Sequence, residues 1–319
     1  MSNRKIVKSG NSSFVLSLPI NWVRENGLGS GRIVDVNEDE LGNLVISPVT
    51  EKKLEKKDIV VIKVDGKEHD TIKFELFSAY VRDSSSIIFE GKEIPIKAAK
   101  LLEKINSLIG LGVIEQSTNS ITAKNFFSLD KELSPKVLLR KMDIVNRASF
   151  SLLGNFFNKN FAQEDFFELR KLHEQNKNLF TLIRKCILKL LENPNLMNSM
   201  QTNHIQINKE RIFAQNLRNI SLMLQVIGGS FLFLDAKSPE AKELKKYFMG
   251  IEKDYQRMIN ATENNSYELI YSLLNDFDKR TREIDNFVKS LSDPLAVRIT
   301  TSFLTMYRNI KDYSIESST

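Results

Sequence analysis

The sequence predicts a multidomain α+β protein: a small β-rich segment at the N-terminus, an α/β segment in the middle and an all-α bundle at the C-terminus. Short runs of β-branched and large apolar residues, punctuated by Gly and Asn, fill residues 1–50. Residues 58–126 alternate strand-like runs with helical periodicity. From Ser134 onward only four glycines occur, Gly154, Gly228, Gly229 and Gly250. Divided at about 150 residues per domain, the 319 residues make two or three domains.

In the first segment, residues 13–18 and 32–36 read as strands, with turn chemistry at Gly10-Asn11, at 27–31 and at Leu41-Gly42-Asn43. Residues 19–26 read as one or two helical turns, with Pro19 suited to the start and Gly27 to the C′ position. A core this small buries too little surface to stand comfortably alone, and oligomerisation is the usual remedy.

In the middle, residues 58–64 and 87–89 read as strands, and 112–115 with 121–123 as a hairpin pair. Residues 71–83 read as a helix whose inward face carries Phe74, Phe77 and Val81, and residues 97–108 as a second helix.

The C-terminal part divides into six helices, approximately 136–153, 163–192, 206–234, 240–262, 266–290 and 295–316. Ser134-Pro135, Ser238-Pro239 and Asp293-Pro294 each set an N-cap residue before a proline at the first helical position. Breaks fall at 154–160, at Asn193-Pro194-Asn195 and at Asn264-Asn265. Phe213, Leu217, Ile220, Leu224 and Ile227 recur at helical spacing as a core stripe. Long helices with short links make an antiparallel bundle. The cluster Phe156, Phe157, Phe161, Phe166 and Phe167 suits either a partner surface or aromatics closing the first helix hairpin, and the second reading is favoured.

The net charge of +6 is unevenly spread. Residues 1–34 hold five cations, Arg4, Lys5, Lys8, Arg24 and Arg32, against one acid, Glu25. Such an excess suits phosphate contact, and it equally suits an ordinary solvated face.

Several classes are excluded. The longest nearly apolar run, 220–234, is too short and too interrupted for a bilayer span and reads as a buried helix. The opening Met1-Ser2-Asn3-Arg4-Lys5 is followed by no apolar signal region, so the chain reads as cytoplasmic. A single cysteine, Cys186, makes neither an internal disulfide nor a structural zinc site. No catalytic residues are expected. His69 has no Cys or His at ligand spacing, a loop separates His173 from His204, Cys186 has no His within a helical turn or two, and no Gly-rich phosphate loop occurs.

The ordered set Arg4-Lys5-Ile6-Val7-Lys8-Ser9-Gly10-Asn11-Ser12-Ser13, Leu16-Ser17-Leu18-Pro19, Gly31-Arg32-Ile33-Val34-Asp35-Val36 and Gly42-Asn43-Leu44-Val45-Ile46 resembles the AbrB/MazE/SpoVT swapped-hairpin DNA-binding domain. The resemblance implies an intertwined homodimer with double-stranded DNA facing Arg4, Lys5, Lys8, Ser9 and Asn11, flanked by Arg24 and Arg32.

Two third helices share an echo, Leu217-Arg218-Asn219-Ile220 and Tyr307-Arg308-Asn309-Ile310. Consecutive three-helix sets of this kind resemble the PhoU family. Taken with the N-terminal segment, the order resembles the archaeal phosphate-uptake regulators of that family, which implies transcription regulation in phosphate homeostasis. Three domains follow: 1–50 for DNA binding and dimerisation, 51–133 as an α/β connector, and 134–319 as two three-helix repeats at about 134–235 and 238–319.

The family's acidic pairs, which hold metal clusters, resemble four pairs of positions in this chain: Glu174 with Asn178, Arg218 with Leu222, Thr281 with Asp285, and Arg308 with Asp312. Only Glu174, Asp285 and Asp312 keep a carboxylate, and an Arg stands on each third helix. Hard or borderline cations need several anionic oxygens, so no metal cofactor is expected; Arg308 is free to pair with Asp312 or Asp285 instead. The alternative to a DNA regulator is an adaptor that controls a phosphate transporter or sensor kinase by protein contact and keeps the N-terminal segment for dimerisation alone.

Overall fold

The computed structural model describes residues 4–38, 42, 44–49, 58–158, 161–264 and 266–318. The chain forms two compact units, Met1–Lys57 and Asp58–Thr319. It is mixed α+β, with a small N-terminal β region and a C-terminal helical region.

In the first unit, β1 (Ile6–Ser9) and β2 (Ser13–Leu16) form an antiparallel hairpin, and β3 (Val34–Glu38) and β4 (Leu44–Pro48) form another. Between them lies α1 (Ile20–Glu25). Gly27 ends α1 in the left-handed region at φ +62°. Its N–H donates to Arg24 O at 3.1 Å and the Leu28 N–H to Val23 O at 2.9 Å, which satisfies two of the last helical carbonyls. Of the turn expected at 41–43, only Gly42 is among the described residues, and the expected boundary at 50/51 lies outside them.

The second unit opens with a four-stranded sheet in the order β5 (Ile59–Lys63), β6 (Ser86–Glu90), β8 (Ser120–Asn125), β7 (Leu111–Gln116). β5 and β6 are parallel and the other pairs antiparallel. A parallel pair needs a crossover, and α2 (His69–Val81) provides it; α3 (Ile94–Ser107) connects β6 to β7. Ile62, Ile87, Phe89 and Ile121 share the core with Ile72, Leu76 and Tyr80 of α2 and Ile105 of α3. Phe74 does not face inward as expected. It is 73% exposed, because Ile72, Leu76, Ala79 and Tyr80 complete a different helical stripe that is buried in its place.

Among the described residues seven α-helices follow: α4 (Pro135–Gly154), α5 (Gln163–Glu192), α6 (Pro194–Ser199), α7 (His204–Phe231), α8 (Pro239–Glu263), α9 (Tyr267–Ser290) and α10 (Pro294–Ser318). Ser134 Oγ accepts from the Val137 N–H at 3.4 Å, Ser238 Oγ from the Ala241 N–H at 3.1 Å and Asp293 Oδ1 from the Leu295 N–H at 3.0 Å, so all three expected caps form. α6 stands where the sequence predicts a break. Asn193 Oδ1 accepts from the Leu196 N–H at 3.1 Å and starts this extra helix by the same cap-then-proline chemistry.

The helices α4, α5 and α7 pack on one another, as do α8, α9 and α10, and the two groups join along α7 and α10. The stripe Phe213, Leu217, Ile220, Leu224 and Ile227 is buried. Phe156 stacks on Phe231 of α7 with centroids 3.9 Å apart, and Phe157 meets Phe248 of α8 at 5.6 Å, so these aromatics pack the link after α4 onto α7 and α8; Phe167 alone of the five stays exposed.

Candidate nucleic-acid interface

The first unit carries the residues expected to meet DNA. Register pairs Ile6 with Leu16, Val7 with Val15, Lys8 with Phe14 and Ser9 with Ser13. Strand alternation therefore sets Ile6, Lys8, Phe14 and Leu16 on one face of the hairpin and Val7, Ser9, Ser13 and Val15 on the other. Arg4 and Lys5 lead into β1, and Lys8 lies within it. The Ser13 hydroxyl donates to Ser9 O, which draws the strands together beside the turn. Asn11 sits in that turn after Gly10, whose φ of +73° explains the glycine. Arg24 occupies the last turn of α1. The Arg32 N–H donates to Gly29 O at 3.1 Å, which fixes the loop that presents its side chain.

All seven of these residues are exposed. Among the described residues, none of the five cations has a carboxylate partner within ion-pair distance. The apolar side chains around them are uncovered as well. Ile6, Val7, Phe14 and Val15 are more than half exposed, and register sets Val34, Val36, Leu44, Ile46 and Pro48 on one face of the second hairpin. No described residue of this unit is buried. Exposed cations can neutralise phosphates, whereas exposed apolar strands demand a cover.

The helical positions considered for metal are dispersed. Glu174 pairs with Lys177 at 3.0 Å on α5, Asn178 is half-buried on the same helix, Asp285 is half-buried on α9, and Asp312 is exposed on α10. Arg218 lies over the Phe180 ring at 5.0 Å. Among the described residues, Arg308 pairs with neither Asp312 nor Asp285. Within the second helix group Arg257 and Arg280 pair instead with Asp254 and Asp276, with Arg257 Nη1 3.0 Å from Asp254 and 3.1 Å from Asp276. No three His, Cys, Asp or Glu side chains gather closely enough for a metal ion among the described residues. Cys186 is buried, which pushes its thiol pKa up to about 12. His173 Nδ1 lies 3.0 Å from Ser221 Oγ, and burial pulls its pKa below the usual value.

One cluster escaped the sequence reading. Lys185 is fully buried on α5, its Nζ 3.0 Å from Asp83 Oδ1, 3.0 Å from Asn125 Oδ1 and 4.2 Å from the Tyr80 ring centroid. Lys189 reaches the other Asp83 oxygen at 2.6 Å. Asp83 holds a left-handed backbone at φ +61° after α2, so this network ties the sheet layer to the helices. The local signal was slight: an Asp in a Ser-rich turn is usually only a turn residue.

No family model, curated protein or solved structure matches the chain. No helix among the described residues is long and apolar enough to cross a membrane.

Proposed function

We propose that this chain is a cytoplasmic, homodimeric DNA-binding regulator of transcription, acting in phosphate uptake. In this reading the first unit is a swapped-hairpin DNA reader, and the helices form two three-helix repeats that sense an effector or a partner. The observation that carries it is the state of Arg4, Lys5, Lys8, Arg24 and Arg32: five exposed cations without a carboxylate partner among the described residues, on a unit with no buried described residue. Uncompensated cations on a small β unit favour a polyanion, and its bare apolar strands favour a second copy interleaved with the first. The phosphate assignment follows from the resemblance to the fused archaeal regulators. A phosphate-transport or signalling protein is the partner expected at the helical surface.

A genome-wide occupancy map at high and low phosphate tests this. The expected result is discrete sites beside phosphate-transport genes whose occupancy changes with phosphate. Absence of any enriched site, with the chain instead captured on a transporter or sensor kinase, returns the adaptor reading.

A further inference from the structure

One end of the helical region opens into a cleft of about 560 Å³. That volume lies in the range of pockets that enclose most of a drug-sized organic molecule, and it is generous for a bare inorganic ion. Both helix groups build the cleft: Leu139 comes from α4, Phe213 from α7, Ile259 from α8 and Tyr313 from α10. Phe213 and Tyr313 stack with ring centroids 4.1 Å apart and give the lining an aromatic wall.

The polar groups of the lining differ in how well they are partnered. Arg140 Nε lies 3.4 Å from Glu263 Oε1. Asp143 accepts from Arg147 Nε at 2.8 Å and from the Tyr255 hydroxyl at 2.8 Å. Those charges are committed. Lys136 and Lys209, which also line the cleft, have no ion pair among the described residues. Thr202 Oγ1 is buried in the lining with no hydrogen-bond partner among the described residues. A buried hydroxyl left unmatched costs free energy that a bound ligand can recover. Glu210, only 8% exposed, accepts from Gln206 Nε2 at 3.1 Å. Burial pushes its carboxyl up, against the Gln206 bond and the charge of Lys136.

Two uncommitted ammonium groups, an unmatched hydroxyl and an aromatic wall describe one kind of guest: an anion on a flat, partly apolar body with hydrogen-bonding edges. We propose that this cleft binds a small organic anion of the nucleoside-phosphate class. Lys136 and Lys209 answer its negative charge, and Thr202, Gln206 and Glu210 its polar edge. Because the lining is drawn from both helix groups, the bound molecule bridges them. This names the effector site of the regulator reading, and it rests on that reading only for the final arm of the test.

Titration calorimetry of the full chain with the four common nucleoside 5′-monophosphates, and with the matching nucleosides, tests the proposal. At least one nucleotide binds, and its nucleoside binds at least about tenfold more weakly. Lys136→Ala and Lys209→Ala each weaken that nucleotide about tenfold, while the unfolding temperature without nucleotide stays at the wild-type value. The proposal is overturned if no nucleotide binds, if the nucleoside binds as tightly, or if both lysine variants keep full affinity. Duplex DNA retention, measured alongside, separates the two readings. Nucleotide binding without DNA retention sustains the cleft and removes the regulator; DNA retention without nucleotide binding does the reverse.

Discussion

Asn219 of α7 donates its side-chain N–H to Asn309 Oδ1 of α10 at 3.1 Å, so the shared asparagines of the Leu-Arg-Asn-Ile and Tyr-Arg-Asn-Ile echo meet each other. Phe213 meets Tyr313 on the same two helices, which makes their packing antiparallel around this bond. Gln215 Nε2 donates to Asn219 Oδ1 at 2.9 Å, and Asn309 Nδ2 donates to Thr305 O at 2.8 Å, so each amide is held in place before it reaches across.

A double-mutant cycle measures that bond. Asn219→Ala and Asn309→Ala are each expected to destabilise the chain by about 1–3 kcal/mol, because each leaves a half-buried amide short of a partner. The double variant should lose about 1 kcal/mol less than the sum. Urea unfolding reads the difference, and strict additivity would show that the contact couples nothing.

The Asp83–Lys185 pair gives a sharper test, because Lys185 has no access to water. Asp83→Asn keeps a residue tolerant of the left-handed backbone and removes only the charge. It strands a buried ammonium beside Lys189 and should cost about 3–5 kcal/mol. Adding Lys185→Met, which restores an apolar filling, should recover most of that loss. If the double variant is as unstable as the single one, the buried charge is not the cause.

Acid should act through the same carboxylate. Desolvation raises the Asp83 pKa, but Lys189, Lys185 and Asn125 outweigh it and leave the group below its ordinary value of 3.8. A depressed folded-state pKa contributes stability that is present above the unfolded value and lost as pH falls through the folded one. The unfolding temperature of the wild-type chain should therefore fall more steeply below about pH 4 than that of Asp83→Asn. Parallel curves for the two proteins contradict the assignment.

Gly228 and Gly229 should respond in opposite directions to alanine. A Cβ on Gly228 collides with Leu169 Cδ2 and lies 3.3 Å from Leu153 Cδ2, both in the packed core. A Cβ on Gly229 finds only ordinary contact with Phe166 at 3.6 Å. Gly228→Ala should cost about 1–3 kcal/mol through overpacking, while Gly229→Ala should gain up to about 1 kcal/mol from helix propensity. Thermal unfolding of the pair checks the sign.

What was legible in the sequence follows a physical pattern. Local chemistry was readable: Ser134-Pro135 and Ser238-Pro239 start helices, Gly27 closes α1, and the stripe from Phe213 to Ile227 lies in the core. Where two local signals compete, sequence alone does not rank them. The Phe74 face lost to the Ile72 face, and the proline after Asn193 began a helix as well as ending one. Contacts distant in sequence were invisible. Lys185 and Asp83 lie on different layers, and neither residue's neighbours announce the other. The cleft shares that origin, since four of its helices come together only in the folded bundle. At the N-terminus the reading ran the other way: Arg4, Lys5 and Lys8 were visible as an excess of charge, and the structure adds that their unit has no buried described residue.

The central claim is that the basic first strand meets the DNA backbone, and salt dependence of binding tests it most directly. Each phosphate contact contributes about 0.9 to the slope of log affinity against log salt. Fluorescence anisotropy of a labelled duplex should show affinity falling steeply from low to physiological salt. The variant Arg4→Ala/Lys5→Ala/Lys8→Ala should bind more weakly and with a shallower slope, while light scattering still reports a dimer. A dimeric wild-type chain that retains no duplex at low salt, or one whose slope the triple variant leaves unchanged, contradicts the account.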